Sequence, residues 1–170
     1  YITSERGIRD YAAMSLADQS TVQMTIIVAD AFLAERDKRG DFKDFANDKP
    51  TPGEDTLQEV IRREFIRVIG RYPTPDEQNK YLTFLKQSIS TGGNLDGLRT
   101  TIKAMFLSAP SIYRMEFGLG EVDEHGRRHL SSDELATALA FALTDKAPDQ
   151  NRFIREALQN DELKTKQDVA

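Results

Sequence analysis

The sequence predicts an all-α fold: an irregular multi-helix bundle of about seven or eight helices with short loops and one longer loop or small hairpin near residues 118–129. Three observations predict it. Apolar residues recur at three- and four-residue spacing in segment after segment. Polar caps and Gly or Pro stops punctuate those segments. No stretch alternates with period two over more than a few residues, which argues against a sheet of any size.

In chain order, residues 4–17 place Ile8, Tyr11, Ala12 and Leu16 on one side of a first helix. Ser20 or Thr21 caps a second helix through Arg39, with Val22, Ile26, Ala29 and Leu33 as its stripe and Gly40 as terminator. Residues 41–55 contain Pro50, Pro52 and Gly53, lack periodicity, and read as a long loop. The best-marked helix follows. Thr56 and Glu59 have the spacing of a capping box, in which a threonine oxygen takes an orphan amide and the glutamate reaches back. Leu57, Val60, Ile61, Phe65, Val68 and Ile69 draw its apolar stripe, while Glu59–Arg63 and Glu64–Arg67 pairs lace the outer face. Gly70 supplies a left-handed stop, and Pro73 prevents resumption.

Thr74-Pro75-Asp76-Glu77 is a second capping box with proline at the first helical position. The helix it opens turns Tyr81, Leu82, Leu85 and Ile89 to one face and breaks at Thr91-Gly92-Gly93. Asn94 is the expected cap of the next helix, whose stripe is Leu95, Leu98, Ile102, Met105 and Phe106. Pro110 ends or bends that helix, and residues 111–117 add a further turn or two. Residues 118–128 hold three glycines and many charges and read as an excursion. Ser131 to Glu134 is a third capping box, opening a helix with Leu135, Ala138, Leu139, Ala142 and Leu143. Pro148-Asp149 restarts one more, with Phe153, Ile154 and Leu158 facing inward.

The length of 170 residues suits one compact unit, with residues 1–55 as N-terminal helices plus an acidic loop and residues 56–170 as the core module. A net charge of −5 argues against bulk binding to nucleic acid or anionic membranes. The absence of cysteine excludes disulfides, thiolate metal sites and covalent c-type haem within this segment. The most apolar run, residues 25–33, is interrupted by Asp30 and is far too short to span a bilayer. The chain opens on Tyr1 and stops where Thr165 and Asp168 have the spacing of another helix start. Both ends predict an excerpt of a longer polypeptide.

Candidate sites are sparse. His125 and His129 have the i, i+4 spacing of a two-histidine metal pair, or of axial ligands to a non-covalent haem, with Glu121, Asp123 and Glu124 nearby. Gly126 argues against the helix that such spacing needs, so a solvated loop is the plainer account. Asp41, Asp44, Asp48, Glu54 and Asp55 do not fit a calcium loop, because Lys49 and Pro50 fall where ligands and the glycine belong. Arg63, Arg67 and Arg71 recur every four residues beside Arg62, as either an anion-binding or interdomain stripe, or cations favoured near a helix C-terminus. Arg114 and Glu116, with Asp133 and Glu134 across the excursion, supply groups for acid–base work or for an interhelical ion pair. Ser108, Ser111, Ser131 and Ser132 lack a histidine in a nucleophile arrangement, and Gly92-Gly93 follows a helix rather than a strand.

Three pieces in sequence, REFIRVIGRYPTPDE (63–77), GLRTTIKAMFLSAPSIYRME (97–116) and HLSSDELATALAFALTDKAPD (129–149), resemble domain of unknown function 1592 with its short preceding helical module. The resemblance covers about residues 20–170 by this motif order and spacing. Two departures stand out: the family's arginine–proline step reads Arg71-Tyr72-Pro73 here, and its "YFLW" reads Phe141-Ala142-Leu143-Thr144 after Ala140, without tryptophan. The resemblance implies a helical module of large secreted planctomycete and myxobacterial proteins that carry c-type cytochrome segments elsewhere. It therefore implies an extracytoplasmic location, no cofactor in this segment, and partners among other domains of the same polypeptide or a protein complex. No activity attaches to the family, so no catalytic residue is carried over. The expected role is a non-catalytic structural and interaction module. The rival expectation is a piece of a redox or hydrolytic enzyme whose site is completed by missing domains, and a weaker third is a metal- or haem-dependent sensor.

Overall fold

The computed structural model describes residues 17–113, 116–144 and 146–164. The expected first helix therefore lies outside the described residues except for Ala17, as do Thr165 and Asp168. Among the described residues the chain forms seven α-helices and no strand: α1 (Gln19–Lys38), α2 (Glu54–Ile69), α3 (Pro75–Gly92), α4 (Asn94–Phe106), α5 (Ala109–Ile112), α6 (Ser132–Leu143) and α7 (Arg152–Gln159). The all-α expectation is met.

Helices α2, α3 and α4 form the centre, and α1 packs across α4. Leu57, Val60, Ile61 and Phe65 from α2 meet Leu82, Leu85 and Ile89 from α3 and Leu98, Ile102 and Met105 from α4 in one apolar cluster. Burying each such side chain stabilises the fold by roughly 1.5–3 kcal/mol. Edge-to-face ring pairs extend the cluster, Phe65 on Tyr81 at 5.5 Å and Phe32 on Phe106 at 5.2 Å between centroids. The α3–α4 crossing is close because Gly97 has no side chain: a Cβ there would stand 2.5 Å from the Ile89 backbone nitrogen. Gly70 adopts φ +87° and ends α2 as expected.

Several local expectations are corrected. Helix α1 is capped by Asp18, whose carboxylate accepts from the Thr21 amide at 2.7 Å, and not by Ser20 or Thr21. Its expected stripe holds only in its second half. Ala29 and Leu33 are buried, but Val22 and Ile26 are exposed because α4 reaches only the C-terminal turns. The box expected at Thr56 and Glu59 does not form, since α2 begins at Glu54 on Gly53 without a side-chain cap. Thr74–Glu77 and Ser131–Glu134 both close as full capping boxes.

Asn94 does not cap α4. It is buried at the first helical position, accepting from Thr51 Oγ1 at 2.9 Å and donating to the Lys49 carbonyl at 2.9 Å. The 41–55 loop is thereby tied down, and Phe42 and Phe45 around the 3-10 turn Lys43–Phe45 enter the core. An aperiodic stretch thus contributes two aromatic plugs that no spacing argument revealed.

A second, smaller cluster joins α6, α7 and the 3-10 turn Pro148–Gln150. Its buried members are Ala136, Ala140, Ile154 and Leu163. The predicted stripes are partly displaced there: Leu143 and Phe153 are exposed, and α7 starts on Asn151 after the 3-10 turn rather than at Pro148. Residues 118–129 do make a small hairpin, with an antiparallel bridge between Leu119 and His129. No helix among the described residues is long and apolar enough to cross a membrane.

Candidate functional site

The arginine stripe on α2 resolves into two separate arrangements. In the first, Glu64 is buried rather than lacing the outer face, because α1 brings Arg36 over it. Both terminal nitrogens of Arg36 donate to the Glu64 carboxylate, Nη2 at 3.1 Å, and its Nε donates to Asp41 at 2.8 Å. Its guanidinium also lies over the Phe42 and Phe32 rings, 4.6 and 5.3 Å from their centroids. Burial works against the Arg36 charge, but Glu64 and Asp41 outweigh it and hold the guanidinium protonated. Arg67 adds a 2.8 Å bond to Glu64, and Arg63 approaches it at 3.4 Å. One carboxylate thus organises three arginines. Arg63 and Arg67 were sequence candidates, and the expected Glu64–Arg67 pair forms; Arg36, which buries Glu64, was not singled out.

The second arrangement is built on Arg71. Its guanidinium grips Glu77 through two bonds of 2.8 and 2.9 Å and donates to the Tyr72 carbonyl. The guanidinium in turn holds the Glu77 carboxyl below its ordinary range, although partial burial opposes it. Glu77 also closes the α3 capping box, so this pair ties the turn after α2 to the first turn of α3.

Arg71 borders a half-open cleft of about 700 Å³ between the α2–α3 turn, α5 and the first turns of α6. Tyr72, Tyr113, Phe117 and Phe141 contribute rings to its lining, with Pro73, Pro110 and Ile112 between them. Asp133 and Glu134 supply carboxylates from the α6 start. Glu134 is already engaged by the amides of Ser131, Phe117 and Gly118, at 2.8, 2.7 and 3.3 Å. Burial raises its pKa, and those amides outweigh the effect and lower it overall. Asp133 makes no side-chain hydrogen bond or ion pair among the described residues. It feels Arg71 only through space. Ser111 and Ser131 reach the cleft, but Ser131 accepts from the Glu134 amide and no histidine lines the walls.

The remaining candidates lie apart. Arg114 is outside the described residues, and Glu116 is exposed. His125 and His129 are both exposed on the hairpin, where Asp123 accepts from the His125 and Arg127 amides at 2.9 and 2.8 Å. Those bonds lower the Asp123 pKa and commit its carboxylate to the turn. Among the described residues no three His, Cys, Asp or Glu side chains gather as a metal site. The rings of the cleft were not foreseen as a group. Their one legible signal was an aromatic, Tyr72, placed between a helix stop and a proline.

No family model, curated protein or solved structure matches this chain.

Proposed function

We propose that the chain is a non-catalytic helical interaction module of a larger exported protein, holding neighbouring domains in register. One observation carries this reading. The charged groups that the fold brings together, Arg36 with Glu64, Arg71 with Glu77, and Glu134 at its cap, are consumed by the fold itself. Large apolar side chains are instead left outside, among them Ile27, Val28, Leu143 and Phe153, where another polypeptide surface would cover them. The resemblance to domain of unknown function 1592 supports export and a c-type cytochrome elsewhere in the same polypeptide. Partners are then other domains of that polypeptide or a complex it joins.

An in-frame deletion of residues 54–164 from the full-length protein tests this. The expected result is loss of assembly on size-exclusion chromatography with haem content retained in the separated parts. Unchanged assembly and unchanged turnover would overturn the reading. Lost turnover with intact assembly would favour the enzyme alternative, in which the cleft beside Arg71 and Asp133 forms one wall of an active site.

A further inference from the structure

The geometry points to the cleft beside Asp133 as a binding site for a small organic cation, an ammonium group carried on an apolar body. Four rings, Tyr72, Tyr113, Phe117 and Phe141, share this one concavity with the exposed Asp133 carboxylate, which makes no side-chain hydrogen bond or ion pair among the described residues. Aromatic faces carry negative potential and attract a cation, most strongly where water is partly displaced. The volume of about 700 Å³ falls in the usual range for small-molecule sites.

Charge decides the sign of the ligand. Among the described residues Arg71 is the cation of the lining, and its charge is matched by the two-bond grip on Glu77, with a weaker through-space contribution from Asp133. The α6 N-terminus, which ordinarily favours anions, is closed by its own capping box. Glu134 is spent on three backbone amides. Asp133 remains, and it repels an anion while offering a counter-charge to an ammonium. An anion would meet closed donors and an opposing carboxylate, whereas an organic cation meets aromatic side chains, of which Tyr72 already carries the Arg62 guanidinium at 5.7 Å, and the exposed Asp133 carboxylate.

The test uses choline and its uncharged isostere, 3,3-dimethylbutan-1-ol, titrated into the isotopically labelled chain and read by amide and aromatic NMR shifts. Choline is expected to bind with shifts confined to the cleft, and the neutral isostere to bind at least fivefold more weakly. Asp133→Asn should weaken choline about fivefold, and Phe141→Leu, which keeps apolar volume but removes a ring, about threefold. Both positions are exposed, so both variants are expected to keep the dispersed amide spectrum of the folded chain. Equal binding of choline and the isostere would overturn the inference, as would choline binding indifferent to Asp133→Asn. Shifts in the cleft produced by acetate or sulfate in place of choline would overturn it too.

Discussion

The two apolar clusters of this protein are built on different principles. The first, around α2, α3 and α4, buries large side chains such as Ile61, Phe65, Leu85, Ile102 and Met105 and also encloses a charged pair, Arg36 with Glu64. The second, between α6 and α7, rests on two alanines, Ile154 and Leu163, and leaves Phe141, Leu143 and Phe153 outside. A core of large residues can absorb the cost of a buried ion pair, because its packing holds the guanidinium on its acceptors. A core of alanines brings two helices close but removes little apolar area from water. The second cluster is therefore the part that its own packing stabilises least.

That contrast can be broken in several ways. The largest effect is expected from Glu64→Gln, which leaves the buried Arg36 with only the partly exposed Asp41 as counter-charge. A loss of about 3 kcal/mol by urea denaturation follows from removing the buried half of that charge pairing. The double change Arg36→Met with Glu64→Leu should recover most of it, and failure to recover would mean that the pair fixes the α1–α2 geometry rather than merely being tolerated.

Gly97→Ala is expected to cost nearly as much as Glu64→Gln, because the added carbon meets Ile89 backbone atoms at 2.5 and 2.7 Å that no side-chain rotation can move. A melting temperature unchanged by Gly97→Ala would show that the α3–α4 crossing can widen without cost.

Ile154→Ala should cost about 2 kcal/mol, and only locally. Amide exchange should accelerate across residues 132–159 while residues 57–105 keep their protection. Uniform acceleration in both regions would show that the two clusters unfold as one.

The smallest effect concerns the Arg71–Glu77 pair. Glu77 titrates below the ordinary glutamate value of 4.5 in the folded state, so its contribution is fully present above that value. It is lost as pH falls through the depressed folded value. For a partly exposed pair the change is under about 1 kcal/mol. Arg71→Met should flatten that portion of the stability–pH curve, measured between about pH 6 and about pH 3.

Much of the helical grammar was legible in the residues because it is local. Thr74, Pro75 and Glu77 satisfy one another within a single turn, as do Ser131 and Glu134. The Thr56–Glu59 box failed although its spacing was right, since Gly53 offered an earlier start that placed Glu54 beside Lys86. The candidate site was far less legible. Tyr72, Tyr113, Phe117 and Phe141 are spread over about seventy residues, and only the return of α6 toward the α2–α3 turn brings them to one cleft.

By itself the sequence determined that this chain is helical, where α3 and α6 begin, where α2 stops, and which face of α2, α3 and α4 turns inward. These follow from hydrogen bonds and side-chain periodicity within a few residues. Tertiary structure alone decided that Glu64 goes inward under Arg36, that Asn94 holds the 41–55 loop, and that Asp133 shares a cleft with Tyr72 and Tyr113. Each of those outcomes depends on a partner far away in the chain, and only packing selects which distant residue arrives.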